Sequence, residues 1–202
     1  MQLLHLDSSV LGTASVSRHL SSEIVARHQA LHPGIRVISR DLAADPPLHL
    51  SGAHLAAFQG VASEDATVNA DLVKGNAYMD ELIAADILVI GAPMYNFSIP
   101  TPLKAWIDRV AVAGKTFRYT ATGPEGLLKD KKAFIASSRG SVYTPGSPAA
   151  AVEHQESYLI GLLAFLGISD VTVVRAEGIA LGPDVKEAAI AQALEDIAAI
   201  TA

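Results

Sequence analysis

The segment Ile87–Asp108, ILVIGAPMYNFSIPTPLKAWID, decides the fold. It begins with the short, mostly β-branched run Ile87–Ile90, which predicts a strand buried on both faces. Two prolines, Pro100 and Pro102, suit the start of a helix, because a missing N–H costs least there. Apolar residues then recur at helical spacing, at Leu103, Trp106, Ile107 and Val110. The segment therefore predicts a strand, an aromatic loop at its carboxyl end, where open parallel sheets bind ligands, and a departing helix. The alternative is an ordinary connection with packed aromatic side chains.

Strands and helices alternate in the rest of the chain as well. The predicted strands are Leu3–Leu6, Arg36–Arg40, Ala133–Ser137 and Val171–Val174. The predicted helices run from the serines near position 15 to about His32, and over about Ser51–Gln59, Val68–Ala84, Val152–Leu166 and Asp184–Ile200. The segment Gly114–Lys129 is predicted to form a turn or hairpin, because Pro124 and Gly126 disfavour a helix. This alternation favours one parallel sheet with right-handed crossovers.

The composition predicts one domain that spans residues 1–202. The net charge of −6 argues against nucleic acid as a partner, and the chain has no long basic run for an anionic membrane surface. The absence of cysteine excludes disulfides, thiolate metal sites and cysteine nucleophiles. The apolar stretches are well short of the ~20 residues that span a bilayer, and the N-terminus does not resemble a signal peptide. We therefore expect a soluble, cytoplasmic protein.

Several signatures of common enzyme classes are missing. The chain has no G-x-G-x-x-G after its first strand, no G-x-x-x-x-G-K-[ST] and no G-x-S-x-G. His28 and His32 have the helical spacing of a zinc pair, but no third ligand is evident. We therefore predict no metal site and expect exposed histidines near a helix end. Asp7 ends the first strand, where a loop or capping role is as consistent as metal binding.

Three loops at the carboxyl ends of strands carry the residues best suited to a ligand. Ser9 and Ser15-Val16-Ser17 precede a helix, whose N-terminus favours a phosphate, although serine also commonly caps helices. Met94-Tyr95-Asn96-Phe97 suits a flat ring. Ser138-Arg139-Gly140-Ser141 allows close backbone approach at its glycine, and its arginine suits either a polar ring edge or solvent. A phosphate pocket and two ring-holding loops together describe a mononucleotide with a planar head, and FMN fits that description.

The sequence resembles the FMN-dependent NADH-azoreductases, also described as NADH:quinone oxidoreductases, of the flavodoxin-like superfamily. The resemblance covers essentially the whole chain and includes APMYNF with its IPTPLK continuation, TFRYT at Thr116–Thr120, GPEGL, SRG, and AEGIA at Ala176–Ala180. It implies an α/β, flavodoxin-like, doubly wound, five-stranded parallel sheet of order 2-1-3-4-5 with helices on both faces. It also implies FMN contacts at all three loops. Val16 stands where the family often has Gln. Ser141 stands where the family often has a second Gly, and if that position needs a positive φ, a serine there would strain the backbone.

The resemblance implies an enzyme that takes electrons from NADH and reduces quinones and aromatic azo compounds in a two-electron, ping-pong cycle. No side chain is expected to act as a catalytic acid, base or nucleophile, because the cofactor carries the chemistry. The active unit is expected to be a homodimer in which Tyr119 and Phe165 of one chain line the substrate pocket of the other. The alternatives are a flavodoxin-type electron carrier and a non-catalytic nucleotide-binding regulator.

Overall fold

A five-stranded parallel sheet forms the centre of the computed structural model, which describes residues 1–201. These described residues form seven strands: β1 Gln2–Asp7, β2 Arg36–Asp41, β3 Ile87–Pro93, β4 Phe117–Thr120, β5 Gly123–Gly126, β6 Lys132–Ser138 and β7 Asp170–Ala176. The large sheet has the order β2-β1-β3-β6-β7, and every residue of its central strand β3 is buried. The predicted doubly wound sheet of order 2-1-3-4-5 is therefore confirmed.

Helices cover both faces of the sheet. They are α1 Val16–Leu31, α2 Gly52–Phe58, α3 Ala66–Ala84, α4 Thr101–Val110, α5 Glu156–Leu166 and α6 Pro183–Ala198. One core lies between the sheet and α1 and α6, and includes Leu20, Ile24 and Ile197. The other lies between the sheet and α3, α4 and α5, and includes Leu82, Trp106 and Leu163. Within residues 1–201, no helix combines the length and the apolar character needed to cross a bilayer.

The segment between α4 and β6 forms the predicted hairpin. Strands β4 and β5 pair antiparallel, and Phe117 at the start of the hairpin packs into the core beneath α5. Gly126 lies so close to the end of α5 that a Cβ atom there would stand 2.1 Å from the backbone nitrogen of Gly167. Leu128 then donates its N–H to the carbonyl of Leu166 at 2.9 Å. The base of the hairpin is thus docked on the end of α5 by backbone contacts that leave no room for a side chain.

The fifth helix begins later than the predicted Val152. A single 3-10 turn covers Ala150–Val152, and α5 starts at Glu156. The Glu153 carboxylate accepts the N–H groups of Gln155 and Glu156, both at 2.7 Å, and of Ser157 at 3.1 Å. Because a carboxylate satisfies the first free donors of a helix well, the helix begins after Glu153 rather than before it.

Candidate functional site

The first loop joins β1 to α1 and contains buried serine side chains. Ser15 is the N-cap residue of α1, because its Oγ accepts from the Arg18 N–H at 3.3 Å. The Ser17 Oγ lies 3.1 Å from the Ser15 Oγ, and both side chains, like that of Ser9, are buried. Val16 and Ser17 are the first two helical residues, whose N–H groups have no helical carbonyl to reach. With no acidic residue in this first turn, the loop is suited to an anion, and the capping alternative also holds for Ser15.

Arg18 lies beside this loop, but its guanidinium already pairs with two aspartates, Asp7 and Asp41. Its Nη2 donates to the Ser9 carbonyl at 2.9 Å and to Asp41 at 2.6 Å, while its Nη1 lies 3.6 Å from Asp7. The hydrogen bond from Arg18 holds the pKa of Asp41 below its usual value. Asp7 also accepts from the Ser21 hydroxyl at 2.8 Å. These contacts fix the backbone at Ser9 and give Asp7 the loop-anchoring role that the sequence left open.

The second loop is a tight turn whose central residues have left-handed backbone conformations. Tyr95 and Ser98 exchange backbone hydrogen bonds of 2.9 and 3.1 Å. Between them, Asn96 and Phe97 have φ values of 48° and 71°, which is the pattern of a type I′ turn. Glycine usually fills such positions, so Phe97 is held there at a cost of roughly 1–2 kcal/mol. Strain of this kind concentrates at ligand sites, and the Phe97 side chain is 47% exposed at this edge of the sheet.

The third loop leaves β6 and pairs with the residues that follow β7. The carbonyls of Arg139, Gly140 and Ser141 accept from the N–H groups of Ile179, Ala180 and Gly178 at 3.0–3.1 Å. Neither Gly140 nor Ser141 has a positive φ. The serine that stands in place of a second glycine therefore adds no backbone strain at position 141.

The Arg139 side chain does not lie in solvent, which was one of the two expectations for it. It is 1% exposed, and its guanidinium pairs with three carboxylates: Glu153 at 3.4 Å, Glu177 at 2.9 Å, and Glu156. Its Nε also donates to the Gln155 side-chain carbonyl at 3.1 Å. The guanidinium is thus committed to an internal network, and any role of Arg139 beside a ring is limited to the conformation of its loop.

Direct contacts join the three predicted loops. The Tyr95 hydroxyl lies 3.1 Å from the Ser9 Oγ and 3.3 Å from the Val10 nitrogen, which links the first loop to the second. The Met94 N–H donates to the Ser138 carbonyl at 2.8 Å, which links the second loop to the third. The structure therefore brings together the residues that the sequence selected on the carboxyl ends of β1, β3 and β6, the edge where such sheets bind ligands.

These residues fit the two ends of a flavin mononucleotide. The buried Ser15 and Ser17 hydroxyls and the free N–H groups at the start of α1 match a phosphate, which needs several donors, and the first turn of α1 contains no acidic residue. The strained, half-exposed aromatic turn and the backbone of the third loop match a flat ring with a polar edge. Sequence reasoning missed Tyr143, whose ring meets Phe97 edge-on at 6.3 Å between centroids. It also missed Glu177, although the AEGIA motif that contains this residue marked the segment.

The two histidines with metal-ligand spacing lie at the opposite end of the sheet. His28 is 1% exposed, packs edge-on against Phe134 at 4.5 Å between ring centroids, and stacks parallel to His32 at 5.9 Å. Burial lowers the pKa of His28 to about 4. Within the described residues no group of three or more metal-ligating side chains is present. His28 is therefore a neutral core residue, and the expectation that it is exposed was wrong.

Tyr119 and Phe165 lie away from the three loops of their own chain. They flank Phe117, with ring centroids at 5.5 and 4.6 Å from it. The Tyr119 side chain is 75% exposed on the hairpin, whereas Phe165 packs against the core from α5. Because α4 runs from the site edge toward the opposite end of the sheet, the hairpin that follows it begins at that opposite end, where its base docks on the end of α5.

Comparisons with known proteins agree with this architecture. A family described as "Flavodoxin-like fold" matches residues 1–200. The FMN-dependent NADH:quinone oxidoreductase of Bradyrhizobium sp. (strain BTAi1 / ATCC BAA-1182) is 54% identical over 202 residues, which cover 100% of both chains. The azoreductase of Bacillus anthracis str. Sterne superposes with a TM-score of 0.87 at 30% identity, covering 98% of this chain and 97% of its own.

A further similar structure is a complex with FMN. It is the FMN-dependent NADH-azoreductase of Bacillus anthracis str. Ames Ancestor in complex with FMN, which superposes with a TM-score of 0.85 at 26% identity and covers 98% of this chain and 97% of its own. The matched residues include β1, β3, β6 and the loops between them. This chain therefore belongs to the family with the flavodoxin-like fold.

Proposed function

We propose that the protein is an FMN-dependent NADH:quinone oxidoreductase that also cleaves aromatic azo compounds to amines. The observation that carries the proposal is the junction of a buried serine cradle with a strained aromatic turn, made by the contact between Ser9 and Tyr95 at 3.1 Å. The relative with 54% identity over the full chain has the name of this activity, and the azoreductases superpose along nearly the whole length.

Ser9, Ser15, Val16 and Ser17 would hold the phosphate of FMN. Val16 contributes only its backbone N–H at the start of α1, so a glutamine in this position in relatives is not required for that role. The oriented N–H groups and the helix dipole favour the negative charge. The buried hydroxyls of Ser15 and Ser17 add donors whose positions are already fixed by the helix cap.

Met94, Tyr95, Asn96 and Phe97 would cradle the ring, and Ser138, Arg139, Gly140 and Ser141 would border its polar edge. Tyr95 fixes the turn to the first loop through its hydroxyl, and the carbonyl of Ser138 fixes Met94. FMN, when bound, supplies the two-electron redox chemistry between NADH and the quinone or azo acceptor. The protein contributes position and oriented backbone donors, so we assign no side chain as a general acid, base or nucleophile.

A homodimer with shared pockets belongs to the same proposal. Tyr119 and Phe165 flank Phe117 near the end of α5, at the end of the sheet away from their own chain's three loops. A two-fold partner can place them over the other site, because a two-fold contact uses the same patches on both subunits. Exposed apolar residues near α2, namely Leu50, Leu55, Phe58 and Val61, offer further surface for such a contact. We also propose a cytoplasmic location, since NADH is an intracellular electron donor.

The test is the visible spectrum of the purified protein followed by turnover with NADH. We expect a yellow protein that releases FMN rather than FAD on heating, and NADH oxidation with menadione when no partner protein is present. A yellow protein without that turnover would instead identify a flavodoxin-type electron carrier. A colourless protein that takes up no added FMN would refute the cofactor assignment.

A further inference from the structure

The segment Ala176–Ala180, sequence AEGIA, has a structural role that its position in the chain does not suggest. We call it the clamp segment, and we call Ser138–Thr144 the edge loop. Three N–H groups of the clamp segment donate to carbonyls of the edge loop, and the Arg139 N–H donates back to the Ala176 carbonyl at 2.9 Å. The two segments therefore pair along their length beyond the ends of β6 and β7.

The Glu177 carboxylate closes this arrangement from the side. Its Oε1 accepts from the Arg139 Nη1 at 2.9 Å and from the Tyr143 N–H at 2.8 Å, and its Oε2 accepts from the Thr144 hydroxyl. The Glu177 side chain is only 13% exposed. Hydrogen bonds to a carboxylate are stronger than those between neutral groups, particularly when water is largely excluded. One side chain thus fixes both ends of the turn between Arg139 and Thr144.

The edge loop contacts the aromatic turn at two places. At its start, the Ser138 carbonyl accepts from the Met94 N–H, and near its end the Tyr143 ring lies edge-on against Phe97. Because Glu177 holds the backbone of Tyr143, it also determines where that ring stands relative to Phe97. A change at Glu177 would therefore reach both sides of the proposed flavin site without any direct contact to it.

The charges around Arg139 indicate that Glu177 is not needed to neutralise a buried cation. Arg139 and Arg175 share the cluster with Glu153 and Glu156, which already match their two positive charges. Glu177 is a third carboxylate in this cluster. Its pKa is lowered overall despite its burial, because it accepts hydrogen bonds from Thr144, Tyr143 and Arg139. Neutralising Glu177 leaves two arginines and two glutamates, so the fold retains a balanced cluster.

We propose that Glu177 is a positioning residue for the redox site, whose carboxylate sets the conformation of the edge loop and the placement of Tyr143 against Phe97. The proposal rests on the proposed function, in which the edge loop borders FMN. It differs from a purely structural role because it predicts effects on flavin binding and on the acceptor, and not only on folding.

The experiment compares Glu177→Gln and Thr144→Val with Glu187→Gln as the matched control. Glu187 is an exposed residue of α6, seven residues beyond the end of the clamp segment, and its change to glutamine removes the same charge. The first measurement is hydrogen exchange of the amides of residues 139–144 in the flavin-free protein. The second is the affinity for added FMN, and the third is the separate effect on kcat and KM for menadione in the flavin-loaded enzyme.

We expect Glu177→Gln to speed exchange in the edge loop by about tenfold or more. We also expect it to weaken FMN binding by about tenfold, the loss that corresponds to one charge-assisted hydrogen bond. KM for menadione should rise more than kcat falls, because a displaced Tyr143 changes the aromatic surface that it forms with Phe97 beside the proposed flavin site. Thr144→Val should change the same quantities in the same direction by less, and Glu187→Gln should match the wild type.

Two results would overturn the proposal. One is a Glu177→Gln protein whose edge-loop exchange and FMN affinity equal those of the wild type. The other is faster exchange with unchanged FMN affinity and unchanged KM, which would reduce Glu177 to a structural role. If Glu177→Gln fails to fold, Thr144→Val decides by the same criteria. A wild-type protein that binds no FMN refutes the proposed function, and so also this extension of it, whereas these results leave the proposed function intact.

Discussion

At the level of single residues, variants of Ser15 and Ser17 in the first loop can distinguish helix capping from ligand binding. Ser15 caps α1, whereas the hydrogen bond of the Ser17 hydroxyl is to the Ser15 hydroxyl and not to a backbone group. We expect Ser15→Ala to lower the free energy of unfolding by ~1 kcal/mol through the lost cap. Ser17→Ala should leave the stability of the flavin-free protein almost unchanged and weaken FMN binding by about tenfold. Chemical unfolding and FMN titration measure the two effects.

The exposed Ser22 on α1 supplies the control for both serine variants. Ser22→Ala should change neither quantity, since it lies on the same helix away from its N-terminus. Equal FMN affinity for Ser17→Ala and the wild type would contradict the phosphate assignment.

Asn96 tests whether the aromatic turn needs its side chain or only its backbone conformation. Its φ of 48° is costly for alanine and free for glycine. We expect Asn96→Ala to lower stability by about 1 kcal/mol and Asn96→Gly to leave it nearly unchanged. If the amide contacts the flavin, both variants should bind FMN more weakly to a similar degree. If only the backbone matters, Asn96→Gly will bind FMN as the wild type does.

His28 makes the protein sensitive to acid at a site far from the proposed chemistry. Its pKa is about 4 in the folded protein and 6.5 when unperturbed, so the unfolded chain binds the extra proton between these values. Stability from this residue is therefore complete above about pH 6.5 and decreases as the pH falls toward 4, by about 3 kcal/mol in total. His28→Leu should flatten this part of the pH profile of unfolding, and His32→Gln should not. An unchanged slope in His28→Leu would show that other groups cause it.

Among the elements, the hairpin β4–β5 depends on a contact between two glycines. A Cβ at Gly126 would stand 2.1 Å from the Gly167 nitrogen and 2.3 Å from the Leu166 carbonyl carbon. Because both atoms belong to the backbone, no rotamer change relieves the clash. We expect Gly126→Ala to destabilise the protein by roughly 3 kcal/mol or more, with Gly114→Ala, which meets nothing within 4 Å, as a milder comparison. A melting curve for Gly126→Ala that equals the wild type would contradict this docking.

The elements also show what the sequence could and could not predict. The buried strand at Ile87 and the alternation around it predicted the strands, the helices and one parallel sheet, because apolar runs and turn residues are local signals. The strand order 2-1-3-4-5 was implied by the family resemblance. The delayed start of α5 could not be predicted, because it depends on where the Glu153 side chain folds back. Likewise, no local pattern distinguishes a buried Arg139 from a solvated one, since its partners Glu156 and Glu177 come from distant parts of the chain.

At the level of the whole molecule, residues of both chains of the proposed dimer line each acceptor pocket. We expect the protein to run as a dimer in solution and Tyr119→Ala to remain dimeric and retain FMN with altered quinone kinetics. The two variants can also be mixed, so that a Tyr119→Ala chain pairs with a Ser17→Ala chain. One pocket of this mixed dimer then has the intact flavin-binding loops of the first chain and the intact Tyr119 of the second. Turnover per such mixed dimer should exceed that of either parent variant. A monomeric wild type with full activity would end the proposal.

The docked hairpin contains both positions that tolerate substitution and positions that do not. Its base is fixed by Gly126 and the end of α5, while Arg118, Tyr119, Thr120, Ala121 and Thr122 are exposed. Substitutions along this tip leave the core and the three loops untouched. In a dimer of the proposed kind, they would alter which acceptors the neighbouring site accepts. Such a protein can evolve, or be engineered, toward new oxidants by varying a few surface positions while its redox centre stays the same.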